Sequence, residues 1–406
     1  MEDLLHYVWE YKLYTTDKLQ TIEGIPLEII DPGIHNTHAG PDFFNAKIKL
    51  GEELWVGNVE IHINSSDWYK HQHHLNKMYN SVILHIVECI DELEVRDQSR
   101  RAIPQWIIHI PGEIRKNYLR LRQNDSSVPC VGMIQTIPEI YIRDWMNALL
   151  HERLERKADD LKNLLEKYQF DWNEVFYILL ARNFGFGINN DAFERLAKSL
   201  PLKIILKHQD SSVQTEALFL GQAGLLNEDC ENAYYLKLQR EYNFLQKKYD
   251  LQSLEKHLFR NLRIRPNNFP YIKLIQLSHI IRQGQGLFSR IMKEEELNKL
   301  YGFFDLEKDH KLGRQTIDLL IINCLIPILF IYGKHKDDEK YIERAFSLLH
   351  TIKAEKNFIT SLFRYSGIPI ENACDSQALI QLKREYCEKK KCIFCRIGYK
   401  LLSKKE

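Results

Sequence analysis

The spacing of apolar residues changes once along this chain, and that change restricts its fold more than any other feature. Up to about residue 125, short runs such as "FFNAKIKL" and "LWVGNVEIHI" alternate apolar and polar residues. That pattern buries one face of a strand. From Pro138 onward, segments such as "YIRDWMNALLHERLERKADDLKNLLEKY" repeat their apolar residues every three to four positions. That is the period of a helix with one buried stripe. The chain therefore reads as an α+β N-terminal domain over 1–125, a mainly α-helical domain over 138–370, and a cysteine-rich tail over 371–406 packed on the helical domain.

Within the first domain, "DLLHYVWEYKL" has helical spacing and "IPLEII" is a short strand stopped by Asp31-Pro32-Gly33. The two alternating runs flank "GEE" and form a hairpin. "SSDWYKHQHHLNKMYN" predicts a helix capped by Ser65, Ser66 or Asp67. "SVILHIVECI" is a buried strand and "AIPQWIIHI" another, giving the order α β β β α β with an added strand.

With 406 residues, 44% of them hydrophobic, a sizeable core is available. The net charge of +1 gives no global field toward nucleic acid, although it leaves room for a local basic patch. The acidic start "MEDLLHYVWEYK" lacks the basic region of a signal peptide. The most apolar run, Ile317 to Gly333, holds Asp318, Asn323 and Pro327. It predicts a buried helix with a kink or stop at the proline, not a membrane span. A cytoplasmic protein is expected, with no membrane partner and no dedicated protein partner readable.

The hairpin carries the first candidate site. If its turn centres near Gly51, Asp42 faces Glu60 or Ile61, about 5 Å away at Cβ. Alternation sets Glu60 and His62 on one face, with the register open by one residue. Two carboxylates so close repel unless something positive lies between them. Mg²⁺ or Mn²⁺ fits, with the Ile61 carbonyl and waters completing the shell. An activated water there attacks a phosphodiester.

Histidine is dense around this hairpin: His35, His38, His62, His71, His73, His74 and His85 are seven of the 16 in the chain. On a helix, Asp67, His71 and His74 share one face and His73 lies off it. "HNTHAGPDF" places His35, Asn36 and His38 just before Asp42, and Gly40-Pro41 lets backbone approach a ligand. His85, inside a buried strand, reads as a satisfied core residue. Farther on, "LRIRPNNFPYIKL" is a loop carrying Arg263 and Arg265.

Cys374, Cys387, Cys392 and Cys395 form the second candidate site, as "CDSQALIQLKREYCEKKKCIFC". Four thiolates suit structural Zn²⁺ or a [4Fe–4S] cluster. The other four cysteines, Cys89, Cys130, Cys230 and Cys324, are scattered and read as small buried apolar residues.

The hairpin and its flanking elements resemble the PD-(D/E)XK nuclease superfamily. Pro41-Asp42 matches the Asp that opens its second strand, and Glu60-Ile61-His62 matches its Glu-x-Lys with His replacing Lys. The resemblance implies a restriction-endonuclease-like mixed sheet. It also makes Glu10 on the first helix a further acid, and gives His71 and His73 a role on phosphate or a ligand. In addition, "AGPDFFNAKI", "GNVEIHINSSDWYKHQHH", "RIRPNNFP" and "YCEKKKCIFCRIG" resemble the bacterial domain-of-unknown-function family 2851 over nearly the whole chain. That family brings no established activity.

The expectation is a metal-dependent nuclease-like protein. Asp42 and Glu60 would hold Mg²⁺ or Mn²⁺, with Glu10 helping, and His62 would orient the water. His38, His71, His73, Arg263 and Arg265 would contact nucleic acid. Two alternatives stand beside it. One is a non-catalytic nucleic-acid-binding module with a nuclease-like fold. The other is a hydrolase using a His-rich transition-metal site, for which imidazole ligation favours Zn²⁺ or Mn²⁺.

Overall fold

A six-stranded mixed sheet organises the N-terminal part of the chain in the computed structural model, which describes residues 1–406 apart from 16–17, 263, 308–309 and 405–406. Helix α1 (Glu2–Glu10) precedes strands β1 (Leu27–Asp31), β2 (Ile34–His35), β3 (Phe43–Leu50) and β4 (Glu53–Asn64). A short helix α2 (Asp67–Lys70) leads to β5 (Val82–Cys89). Then come β6 (Val95–Arg96), β7 (Ala102–Ile103), β8 (Gln105–Ile107) and helix α3 (Gly112–Gln123). The sheet order is β1-β3-β4-β5-β8, with β2 also on β3. Neighbours are antiparallel up to β4 and parallel from β4 through β5 to β8.

The expected hairpin forms. Leu50 pairs with Glu53 across a two-residue turn in which Gly51 takes a left-handed φ of 60°, a conformation glycine adopts without cost. The ladder slips between Phe43 and Ala46, where Asn45 also has positive φ. This bulge bends the start of β3. Because β4 and β5 are parallel, the chain must cross over between them. That crossover is the histidine-rich segment.

The expected strand "AIPQWIIHI" is two strands. Ala102–Ile103 pairs with β6 and Gln105–Ile107 joins β5. Pro104 between them has no N–H to give a ladder, while its carbonyl accepts the N–H of His85 at 2.9 Å.

Helix α1 buries Leu4, Leu5, Val8 and Trp9. Trp9 meets Phe43 and Trp106, and its indole N–H reaches the Pro32 carbonyl at 3.0 Å. Phe43 pairs with Val59, so α1 lies on the face that carries Val59 and Ile61. A separate cluster of Trp68, Tyr79, Val82, Val95 and Ile103 forms where the crossover segment meets β5 to β7.

Residues Met146–Gln381 form a second unit, which is helical. Its apolar helix Arg314–Lys336 is long and apolar enough to cross a membrane, and 72% of its most apolar window is buried inside the protein. The helix does not stop at Pro327. A π-turn over Ile321–Leu325 carries the helix through. Pro327 cannot donate to the Asn323 carbonyl four residues back; that oxygen accepts from Asn183 Nδ2 at 3.3 Å instead.

The terminal segment divides differently from expectation. Helix Ala373–Gln381 lies in the helical unit, but Leu382–Glu406 groups with Met1–Trp145. The contacts explain this. Tyr399 packs on Tyr7 and Tyr11, Asn117 donates to the Leu402 carbonyl, and Arg396 pairs with Asp144.

Gly57 of β4 packs against β5 so closely that an added Cβ would stand 2.7 Å from the Ser81 carbonyl oxygen and overlap Ile83. Gly57→Ala is expected to cost about 1–3 kcal/mol by overpacking, read as a lower urea midpoint. An unchanged midpoint would mean the β4–β5 pairing tolerates the shift.

Candidate metal centre

Asp42 and Glu60 hold each other's strands. The Asp42 N–H donates to Glu60 Oε2 at 3.1 Å, and the Ile61 N–H donates to Asp42 Oδ2 at 2.9 Å. Phe43 pairs with Val59, which leaves Asp42 beside Glu60 at the end of the ladder. Glu60 is 4% exposed, whereas the Asp42 side chain retains 23%.

A polar row crosses the parallel strands on the Glu60 face. Glu60 pairs with His85, and His85 with Gln105. The Gln105 amide nitrogen donates to the Glu92 and Leu93 carbonyls, which turns its oxygen toward the His85 ring. Buried His85 Nδ1 and Gln105 Oε1 have no hydrogen-bond partner. His85 Nε2 shares a hydrogen bond with His62 Nδ1 at 2.9 Å. His62 Nε2 in turn shares one with His71 Nδ1.

His62 Nε2 faces a group of possible metal donors. His62 Nε2 is 3.1 Å from His71 Nδ1 and 3.5 Å from Glu60 Oε1. His73 Nε2 is 3.1 Å from the same Glu60 oxygen without an aligned hydrogen bond. One ring nitrogen each from His62, His71 and His73 lies within 4.8 Å of the others. Neutral imidazoles and a carboxylate at this spacing could hold Zn²⁺, Mn²⁺ or a similar cation.

The crossover folds unlike the expected helix. Helix α2 ends at Lys70, Gln72 adopts a left-handed φ of 61°, and a 3₁₀ turn covers His73–Leu75. The turn brings His73 inward, stacked on Tyr79 at 3.8 Å and edge-on to Trp68. His74 packs on Tyr69 instead. The grouping of His71 with His74 and Asp67 on one helical face is thereby replaced by His71 with His73. Asp67 accepts the Asn64 N–H and pairs with Lys70. Ser65 and Ser66 both bind the Asp91 carboxylate, which fixes the start of the segment.

On α1 the residues facing the site are Glu2 and His6. His6 Nε2 lies 3.3 Å from Asp42 Oδ2. The Glu2 carboxyl is raised by burial and feels His6, Asp42 and His71. Glu10, at the far end of the helix, acts on Tyr7 and Tyr11. The signal for His6 was present in the sequence, since Glu2, His6 and Glu10 follow at steps of four on one helix.

His38 is exposed on the loop before Asp42. Asn36 closes that loop by donating to the His38 and Pro41 carbonyls, and His35 stacks on Phe43. Arg265 is exposed in the helical unit at the start of a 3₁₀ turn, and Arg263 lies outside the described residues. Cys374 is in the helical unit, while Cys387, Cys392 and Cys395 are in the N-terminal one.

Burial and the neighbouring carboxylate of Asp42 push Glu60 well above the usual carboxylate range, against the Asp42 N–H, which lowers it. Burial, then the charges of His85, His73 and His71, pull His62 down to about 2. Burial holds His73 and His85 each at about 4. For His6, burial pulls downward, but the Asp42 carboxylate outweighs it and the net shift is upward.

The model of the family described as "Protein of unknown function (DUF2851)" matches residues 2–358. No curated protein and no solved structure matches the chain.

The depressed histidines have a sign for stability. Below about pH 6.5 an unfolded chain protonates them and the folded chain does not. Stability of the metal-free protein is therefore expected to fall as pH drops from that value toward about 4, with the His62, His73 and His85 ring signals still neutral at about pH 5 by NMR. Ring titration near the ordinary value would contradict the burial of these side chains.

Proposed function

The chain belongs to the DUF2851 family, and on that premise we propose that it is a metal-dependent hydrolase of phosphodiester bonds in nucleic acid, built on a nuclease-like core. The observation that carries this reading is Glu60 Oε1. It sits on the central strand β4, next to Asp42, with two imidazole nitrogens at 3.1 and 3.5 Å, the nearer of them without an aligned hydrogen bond. The order α1, β1, β3, β4, α2, β5 supports the resemblance to PD-(D/E)XK nucleases.

His62 stands where that superfamily has Lys. Burial holds its ring neutral and one of its ring nitrogens joins the donor set, so it suits ligation better than charge donation. Glu60, His62, His71 and His73 would hold the cation, with Asp42 at the open side. Nitrogen donors favour Mn²⁺ or Zn²⁺ over Mg²⁺. A cation held there would lower the pKa of a water and neutralise charge developing on the phosphoryl oxygens. Asp42 would orient the incoming group, while His6 balances its charge at 3.3 Å. Exposed His71 and His38 would meet the nucleic acid backbone. All eight cysteines are unpaired, which supports a reducing compartment such as the cytoplasm.

Burial and Asp42 push Glu60 well above the usual carboxylate range in the metal-free chain, so metal binding is expected to displace a proton. The apparent affinity for Mn²⁺ or Zn²⁺ is expected to rise with pH across neutrality, by up to about tenfold per unit. Calorimetry in two buffers of different ionisation heat would register the released proton, and Glu60→Gln would lose it. Affinity independent of pH would speak against Glu60 as a ligand.

Cleavage of labelled single- and double-stranded DNA and RNA with Mn²⁺, Zn²⁺ or Mg²⁺ tests the activity. Asp42→Ala and Glu60→Ala are each expected to slow it at least about a hundredfold. Protein that binds metal and nucleic acid yet cleaves nothing would replace the hydrolase with a binding module.

A further inference from the structure

The helical unit contains a cavity of about 420 Å³, apart from the histidine and carboxylate group of the N-terminal unit. It opens between helix Trp172–Phe184, helix Leu202–Leu206 and the start of helix Leu287–Lys293. Phe176, Ile281, Leu287 and Phe288 make an apolar wall, and all four are buried. The Phe288 ring is held in place, stacked on Trp172 at 6.2 Å and tilted against Phe176 at 5.7 Å. The volume falls in the range of pockets that take a small molecule.

Two polar side chains line this cavity from one helix. Glu174 and Tyr177 are three residues apart on Trp172–Phe184, so they are neighbours on its surface. Tyr177 is 0% exposed, and its hydroxyl has no hydrogen-bond partner. Such an orphan is rare in a folded chain, because burying an O–H without an acceptor costs free energy. The Glu174 carboxylate acts on the phenol, so the two groups lie close. Glu174 also accepts the Leu202 N–H at 3.1 Å. A carboxylate has about four lone-pair sites, so accepting capacity remains.

The cavity therefore offers an acceptor beside an unused donor. Exposed Asp171 adds a second negative charge at its rim, and exposed Lys203 a positive one. That balance disfavours an anionic ligand. An ammonium would satisfy Glu174 but only donates, which leaves the Tyr177 O–H without an acceptor. A purely apolar molecule would use neither group. A flat ring whose edge sets an N–H beside a ring nitrogen or a carbonyl oxygen answers both, and its faces suit the aromatic wall. Nucleobases have such edges. Pockets that read a single base combine these parts, apolar and aromatic walls with hydrogen bonds to the edge.

We propose that this cavity binds an uncharged nucleobase or nucleoside. Glu174 accepts the N–H of the ring edge, the Tyr177 hydroxyl donates to the acceptor beside it, and Phe176 and Phe288 pack on the ring. The Tyr177 hydroxyl lacks a partner within the chain because the ligand supplies it. The site belongs to the helical unit alone and does not depend on the proposed hydrolase activity.

Equilibrium dialysis of the full chain against labelled adenosine, guanosine, cytidine and uridine, with EDTA to keep metal out, reads the site. At least one nucleoside is expected to bind, and more tightly than its monophosphate. Tyr177→Phe keeps the ring and removes only the orphan hydroxyl. It is expected to weaken binding about tenfold, with the urea midpoint of the ligand-free protein unchanged or higher. Ser289→Trp alters an exposed residue of the lining and is expected to abolish binding by filling the cavity. No binding of any nucleoside at millimolar concentration would leave the cavity to water and overturn the proposal. Undiminished binding by either variant would also overturn it, as would a lowered midpoint in Tyr177→Phe, which would reveal a partner within the chain. Benzylamine bound in preference to every nucleoside would assign the cavity to amines instead. Should Tyr177→Phe fail to fold, Ser289→Trp and the benzylamine competition still decide the matter.

Discussion

A carboxylate buried in the middle of a sheet is the constraint around which the N-terminal unit is arranged. Glu60 sits on β4 with strands on both sides and is nearly inaccessible to water. An unpaired carboxylate there would cost several kcal/mol or take up a proton. The fold answers with the Asp42 N–H on one oxygen and imidazole nitrogens near the other. Each of these groups has its own support: Ile61 N–H on Asp42, Gln105 behind His85, His85 behind His62, and Tyr79 and Trp68 against His73. Buried polar networks of this kind are favourable only when complete. His73 Nε2, left without an aligned hydrogen bond at the centre, is what a cation would satisfy.

The same constraint explains the crossover. Parallel β4 and β5 need a connection long enough to return, and this one is spent on positioning histidines rather than on a regular helix. A four-residue helix, a left-handed Gln72 and a 3₁₀ turn give His71 and His73 different directions from adjacent backbone. A continuous helix would have sent them about 160° apart, since two residues advance two steps of about 100°. Anchoring by Asp91 and by the Trp68 cluster lets so irregular a segment stay in place.

The histidine and carboxylate group opens toward solvent at Asp42 and His71. Helix α1 meets this group and the C-terminal segment: His6 approaches Asp42, and Tyr7 and Tyr11 pack on Tyr399.

Local pattern was enough for a good part of this protein. The two-residue turn at Gly51, the hairpin, the buried strand β5, the facing of Asp42 and Glu60, and the α+β to helical change all follow from alternation, periodicity and turn chemistry, which act between near neighbours. Membership of the DUF2851 family was also legible in the motifs. Tertiary structure decided what depends on residues far apart. His73 and not His74 turns inward because Tyr79, Trp68 and Glu60 receive it; helical periodicity carries no information about those partners. His6 and Glu2 join the site because α1 docks on β3 and β4. His85 stands behind His62 with Gln105 beside it because β8 pairs with β5. The Lys390 loop reaches α3 through the Arg122 carbonyl, a contact that chain separation does not reveal. Short-range order was written in residue spacing, whereas the site required the sum of long-range contacts, each of which exists only after the others have formed.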